Sequence, residues 1–256
     1  MNSFGGVFPS FIGLLEKLKY LDLSGLSFVG TDLQWLATLS SLKYLNLGGV
    51  NLIKTTSYWL PTVNMLPSLV ELHLPSCRLS LLPLTLPSIN FTSLSVLDLS
   101  SNKFTSTIPP WLFNLTKLEI YFELSGNSLQ GSIPKSIGNL TSLEEFNLGG
   151  NQMSGIIPES LGELSSLVSL DIYGNTWEGA ITETHFMKLG GLRKIDLTTV
   201  VLCNARISGT IPDWFLQLDL QLDYLDLGLI IWPAGSWADG GPPVPLKKSP
   251  ARLRLG

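Results

Sequence analysis

The chain has 256 residues, of which 52 are leucine and only 14% are charged. An ordinary soluble domain has about 25% charged residues, so this sequence must bury much apolar surface. The mean hydropathy of +0.30 would suit a membrane protein, yet no run approaches the ~18–20 apolar residues of a spanning helix. The net charge of −4 provides no basic face for nucleic acid. We therefore predict a leucine-packed fold that binds no nucleic acid and has no membrane segment in this chain.

Leucines recur at a fixed spacing along most of the chain. Leu39, Leu42, Leu45, Leu47 and Leu52 follow the pattern L-x-x-L-x-x-L-x-L-x-x-x-x-L. The last residue of each L-x-L core marks a period near 24 residues, at Leu23, Leu47, Leu74, Leu99, Leu124, Leu148, Ile172, Leu202 and Leu227. This spacing is typical of leucine-rich repeats, in which each unit is one coil of a solenoid. We predict an α/β solenoid of about nine repeats, a superhelix with a parallel β-sheet on its concave side.

Four repeats have a second half of the form N-x-L-x-G-x-I-P, which begins at Asn102, Asn127, Asn151 and Asn175. A buried Asn amide can bond turn backbone groups that would otherwise be unpaired, so we expect a structural ladder of these four residues. Gly permits the tight turn that follows, and Pro fits a position without a donor. This half resembles the plant-specific class of leucine-rich repeat, which is found in receptor-like kinases, receptor-like proteins and polygalacturonase-inhibiting proteins.

Two longer segments, residues 177–186 and 204–227, resemble one group within this class more closely. They are similar to receptor-like proteins of the disease-resistance type, including those that perceive fungal xylanase. The resemblance covers residues 2 to about 228. It implies part of a receptor ectodomain, at the outer face of the plasma membrane or in the apoplast, that senses pathogen proteins or peptides and signals through a co-receptor kinase.

The repeat pattern breaks at three places. The chain starts inside a repeat at Asn2 without an N-terminal cap, which favours an ectodomain fragment. Near residues 192–202 two frames overlap, so either one long unit spans this step or whole repeats have been lost. The pattern ends after Gly228, and residues 233–256 are rich in Pro and Gly with four basic residues and one acidic residue. We predict a repeat domain over residues 1–232 and a disordered basic tail over residues 233–256.

No catalytic constellation is recognisable in the sequence. Its two histidines, His73 and His185, belong to different repeats, and the motifs of hydrolases, zinc proteases, phosphate loops and kinases are missing. Cys77 and Cys203 show no paired spacing, so free buried thiols are expected. We therefore predict a non-enzymatic protein without a cofactor or metal. The N-terminus has no visible signal peptide.

The predicted concave sheet exposes two columns of side chains, because strand residues alternate between the core and solvent. The residue between the two leucines of L-x-L gives one column, which ends with Val201 and Asp226, and the other ends with Thr199 and Tyr224. Aromatic anchors beside carboxylates are typical of binding surfaces. The candidate ligand-binding residues are Tyr20, Tyr44, Glu71, His73, Asp98, Tyr121, Glu123, Glu145, Asn147 and Asp171. The ligand is expected to be an extended basic peptide or protein; alternatively, the carboxylates only solubilise the surface.

Three N-glycosylation sequons begin at Asn90, Asn114 and Asn139 and favour an extracellular parent protein. Together with the resemblance, they indicate a glycoprotein that recognises peptides or proteins as part of a plant cell-surface immune or developmental receptor. Two alternatives stay open. One is a secreted inhibitor of pathogen cell-wall-degrading enzymes, and the other is a truncated gene product without independent function.

Overall fold

Each repeat folds as one coil that begins with a three-residue strand. The computed structural model describes residues 5–7, 10–29, 32–179, 181–196, 224–226 and 252–254. Its strands are β1 (Gly5–Val7), β2 (Tyr20–Asp22), β3 (Ser27–Val29), β4 (Tyr44–Asn46), β5 (Glu71–His73), β6 (Val96–Asp98), β7 (Tyr121–Glu123), β8 (Gln130–Gly131), β9 (Glu145–Asn147), β10 (Gln152–Ile156), β11 (Ser169–Asp171), β12 (Thr176–Glu178), β13 (Lys194–Asp196), β14 (Tyr224–Asp226) and β15 (Arg252–Arg254).

Short helices carry the chain back across the other side of the core. They stack on the helices of neighbouring coils. One is an α-helix, α1 (Trp59–Val63). The others are 3₁₀ helices at Ser10–Leu14, Gln34–Thr38, Ile53–Thr55, Pro110–Asn114, Lys135–Asn139, Glu159–Glu163 and Glu183–His185.

Ten of the strands form one parallel sheet, in the order β15-β14-β13-β11-β9-β7-β6-β5-β4-β2. The central residues of neighbouring strands are paired in register, as in Leu45 with Leu72 and Phe122 with Phe146. The central side chains from β2 to β13 of this sheet are buried, because strand alternation turns them into the core. The predicted solenoid with a parallel sheet is thus confirmed. We call the solvent side of this sheet the concave face.

The first of the two overlapping repeat frames supplies a strand of the sheet. Strand β13 (Lys194–Asp196) pairs with β11 on one side and with β14 on the other. Thr199 and Val201, which the second frame assigns to the exposed columns, lie outside the described residues. Strand β15 pairs with β14 and lies inside the segment for which the sequence predicts disorder. The rest of that segment, like Cys203, lies outside the described residues.

Smaller parallel sheets lie where each coil has left the concave sheet. The N-x-L-x-G-x-I-P segments contribute β8, β10 and β12, which pair side by side, and β1 pairs with β3. Gly155 has a left-handed backbone, with φ of 84°, that an L-residue adopts only at a cost. A Cβ there would also contact Ser132 of the neighbouring coil at 3.4 Å. That distance is an ordinary van der Waals contact, so the left-handed backbone of the turn, and not a lack of space, favours glycine here.

Buried asparagine amides link each coil to the one before it. The Nδ2 group of Asn127 donates to the carbonyl oxygens of Leu124 and Leu99, at 3.0 and 3.1 Å, and its Oδ1 accepts the Phe104 N–H at 3.2 Å. Asn102, Asn151 and Asn175 make the equivalent hydrogen bonds in their coils. We call these four residues the asparagine ladder. They satisfy backbone groups that burial would otherwise leave unpaired.

Cys77 occupies the ladder position of the coil that precedes Asn102. Its buried thiol donates to the carbonyl oxygen of Leu47, the sulfur lying 3.1 Å from that atom. Burial raises the pKa of Cys77 to about 12. The thiol is therefore a neutral, structural donor at physiological pH.

Asn127→Ala should lower the free energy of unfolding by about 2–4 kcal/mol, because the buried Phe104 N–H loses its acceptor and the carbonyl oxygens of Leu99 and Leu124 each lose one of two amide donors. Denaturant unfolding monitored by circular dichroism measures the change. Asn139→Ala, at an exposed position in the same coil, is the matched control and should change stability by less than about 0.5 kcal/mol. Equal effects of the two substitutions would contradict a stabilising ladder.

Cys77 should also make stability depend on alkaline pH. Its folded pKa of about 12 exceeds the reference value of 9.0, so its contribution is complete below pH 9 and is lost as the pH rises through the folded pKa. Between these values the unfolding free energy of the wild type should fall relative to Cys77→Ala by up to about 1.4 kcal/mol per pH unit. Denaturant titrations of both proteins at several pH values test this. Parallel pH profiles would show that the thiol is not protected by burial.

Candidate ligand-binding face

Two columns of side chains cross the concave face in register. The first column contains Tyr20, Tyr44, Glu71, Val96, Tyr121, Glu145, Ser169 and Lys194, and the second contains Asp22, Asn46, His73, Asp98, Glu123, Asn147 and Asp171. The structure thus brings all ten candidate ligand-binding residues onto one face. It gives them different surroundings, which the repeat pattern alone does not reveal.

Most side chains of the second column cap the turn that follows their own strand. The Oδ1 atom of Asp98 accepts the N–H of Ser100 at 2.9 Å, and Asn147 accepts that of Gly149 at 2.8 Å. The same bond to the residue two positions on is made by Asp22, Asn46, Glu123 and Asp171. A carboxylate or amide oxygen is needed for this bond, which gives these residues a structural reason to recur in the pattern.

Glu123 is the buried member of the second column. Only 4% of the residue is exposed, and its carboxylate accepts hydrogen bonds from the Tyr121 hydroxyl at 2.6 Å and the Asn147 amide at 2.8 Å. Including the Ser125 N–H at 2.7 Å, three donors compensate for its removal from water. The expectation that Glu123 lies exposed to the ligand was therefore wrong; it holds Tyr121 and Asn147 in place.

Burial and hydrogen bonding change the acidity of groups on this face. Burial raises the pKa of Tyr121, and the hydrogen bond to Glu123 raises it further. Burial also raises the pKa of Tyr44, with a further contribution from its hydrogen bond to Tyr20. At Asp22 burial acts to raise the pKa, but hydrogen bonds from Ser24 and Asn46 outweigh it and the pKa is lowered. Both tyrosines are thus neutral donors, whereas Asp22 is ionised at neutral pH.

Aromatic rings line the end of the concave face formed by β2, β4 and β5. Tyr20 and Tyr44 are stacked, with ring centroids 4.1 Å apart and an angle of 8° between the planes. The ring of His73 follows at 5.2 Å from that of Tyr44. Its Nε2 atom lies 3.5 Å from Oε2 of Glu71. We call Tyr20, Tyr44 and His73 the aromatic row.

The three sequon asparagines, Asn90, Asn114 and Asn139, are exposed. Asn114 and Asn139 end equivalent 3₁₀ helices of successive coils, away from the concave face. Trp111 in the first of these helices is packed into the core, and its indole donates to the carbonyl oxygen of Pro83 at 2.8 Å. The sequons are therefore accessible on a part of the surface separate from the two columns.

His185 has a structural setting. It is buried, its Nδ1 accepts the Thr182 N–H at 3.1 Å, and its Nε2 lies 3.0 Å from the carbonyl oxygen of Ile157.

In the described part of the chain, no three His, Cys, Asp or Glu side chains converge as metal ligands would. None of the helices described has the length and hydropathy to cross a bilayer.

Comparison with protein families identifies the family to which the repeats belong. A sequence model of the family described as a leucine-rich repeat region matches residues 53–236. The chain belongs to the leucine-rich-repeat proteins. None of the curated proteins compared with it matches.

Solved structures of leucine-rich-repeat proteins have a similar fold. A TDR receptor is 28% identical with a TM-score of 0.72, over 89% of this chain and 37% of that one. The Arabidopsis receptor kinase HAESA, solved with the peptide hormone IDA and the co-receptor SERK1, is 29% identical with a TM-score of 0.70, over 89% and 40%. A plant ice-binding protein is 25% identical with a TM-score of 0.55, over 88% and 70%. The chain thus spans well under half of either receptor chain.

The Tyr121 hydroxyl should contribute measurably to stability. Tyr121→Phe leaves the buried Glu123 carboxylate without one of its donors, so the free energy of unfolding should fall by about 1.5–3 kcal/mol. Tyr173→Phe, which alters a tyrosine that is 48% exposed, should change it by less than about 0.5 kcal/mol. Denaturant unfolding compares the two variants. A neutral effect of Tyr121→Phe would contradict the structural role assigned to Glu123.

Proposed function

We propose that the chain is a recognition module that binds a peptide or protein ligand on its concave face and catalyses no reaction. The observation that carries this proposal is the alignment of two side-chain columns across a parallel sheet of ten strands. Tyrosine rings, which protein interfaces favour as anchors, lie there beside carboxylates that can attract cationic groups of a ligand. An extended ligand fits such a face because its residues can meet successive coils.

The similarity to a TDR receptor and to HAESA supports a place in the ectodomain of a plant cell-surface receptor, immune or developmental. On this proposal the parent protein lies at the outer face of the plasma membrane or in the apoplast and signals through a co-receptor kinase. The segments at 177–186 and 204–227 favour the disease-resistance group. The three exposed sequons at Asn90, Asn114 and Asn139 are compatible with a glycoprotein whose glycans leave the concave face open.

The charge of the concave face favours a basic ligand. Glu71 and Glu145 of the first column form no ion pair with any Lys or Arg among the described residues, where the pairs are Lys117–Glu119 and Lys188–Glu163. Carboxylates that lack a cationic partner attract cationic ligands and raise their rate of association. A secreted inhibitor of wall-degrading enzymes would use the same face, but its ligand would be a folded enzyme, which the chain would inhibit.

The double variant Glu71→Lys/Glu145→Lys should lose at least about tenfold in affinity for extended peptides selected on the wild-type chain from a random display library. The selected peptides should be basic, and added salt should weaken their binding. Glu159→Lys reverses an exposed charge in a helix on the other side of the coil and should leave affinity unchanged. Calorimetry measures all three proteins. Unchanged binding by the double variant, with loss in the control, would overturn the proposal.

A further inference from the structure

His73 differs from its neighbours in the second column because it caps no turn. The capping bond comes from the N–H two residues further on, and at that position stands Pro75, which has no N–H to donate. The imidazole instead lies beside the ring of Tyr44 and the carboxylate of Glu71. Its side chain is 22% exposed and that of Glu71 is 41% exposed. The side chains of His73 and Glu71 are therefore accessible from the concave face, and neither caps the backbone turn.

Two carboxylates flank His73 across β5 and β6. Glu71 contacts it at 3.5 Å, at the outer limit of a hydrogen bond, so that contact is weak and replaceable. Asp98 is the partner of His73 in the neighbouring strand. Its Oδ1 atom is used by Ser100, whereas no described residue donates to its Oδ2.

Within the two columns, the charges beside His73 are of one sign. In the two columns over β2, β4, β5 and β6 stand Asp22, Glu71 and Asp98, and no Lys or Arg. The lysines nearest in sequence, Lys19 and Lys43, are exposed one residue before β2 and β4, outside the columns. A cationic group bound here would thus meet aromatic rings and carboxylates together.

We propose that His73, Glu71 and Asp98, at the end of the aromatic row, form a subsite for an arginine side chain of the ligand. This rests on the proposed function and names the group that one part of the concave face selects. A guanidinium is planar, so it can lie against the imidazole while its N–H groups donate to both carboxylates. Lysine has no such plane and a more strongly hydrated charge, and it binds more weakly at the same place.

The two histidines allow this subsite to be observed directly. The full-length chain, labelled at the histidine Cε1 position, gives one resonance for His73 and one for His185. Because His185 is only 2% exposed and hydrogen-bonded, it is an internal control. Titration with the tripeptide Gly-Arg-Gly at fixed pH and salt should shift the His73 resonance in a saturable way and leave that of His185 unchanged. Gly-citrulline-Gly, which has the same shape without the charge, should bind at least about tenfold more weakly, and Gly-Lys-Gly should also bind more weakly.

Matched variants separate this subsite from general attraction to an acidic face. Glu71→Gln and Asp98→Asn keep shape and, at residue 98, the oxygen that caps the turn, and each should weaken the Arg-dependent shift. Glu144→Gln removes an exposed charge outside the two columns and should leave the shift intact. Equal shifts with citrulline, or equal effects of Glu71→Gln and Glu144→Gln, would overturn the subsite. If His73 does not respond while Glu71→Lys/Glu145→Lys still abolishes binding of the selected peptides, the proposed function stands and the arginine subsite is wrong.

Discussion

The stacking of successive coils depends on hydrogen bonds to the buried backbone groups of each turn. Every coil leaves its strand through a turn whose carbonyl and N–H groups lie inside the solenoid, where an unpaired polar group is costly. The asparagine ladder meets this need by donating to carbonyls of two successive coils and accepting an N–H of the earlier one, as Asn127 does between the coils of Leu99 and Leu124. Since the bonds cross from coil to coil, they fix the register of the sheet as well as the turn.

Hydrogen bonds to backbone groups of the turns also determine which side chains of the concave face are available to a ligand. The second column caps the turns on the solvent side, which ties Asp98, Asn147 and their equivalents to the backbone. Glu123 goes further and becomes an interior anchor for Tyr121. Recognition is therefore left to exposed groups of the first column, to His73 and to carboxylate oxygens that accept no bond from the described residues. At Asp98 one oxygen accepts the hydrogen bonds of Ser100 and the other accepts none from the described residues, so this carboxylate can serve both structure and recognition.

The leucine spacing was enough to predict the solenoid, the parallel sheet and the placement of both columns over β2 to β11, because side-chain alternation is a local property. It could not choose between two frames that both satisfy the pattern near Ile195 and Leu202; pairing with β11 shows that the first frame forms a strand at Lys194–Asp196, and Leu202 lies outside the described residues. The burial of Glu123 depends on donors from Tyr121 and from Asn147 in the next coil, which no local pattern contains. The sequence contains the reason why His73 caps no turn, because Pro75 stands two residues later and has no N–H. That reason becomes apparent only when the capping bond of the other coils is known.

Amide hydrogen exchange of the wild-type chain, resolved by residue, tests the ladder most directly. The N–H groups of Leu79, Phe104, Leu129 and Met153 each donate to a ladder side chain rather than to a strand. If the ladder holds the coils together, these four amides should be protected as strongly as those of the concave sheet, by factors of at least about a thousand over a free peptide. Exchange at the rate of exposed loop amides, with protection confined to the strands, would contradict the account.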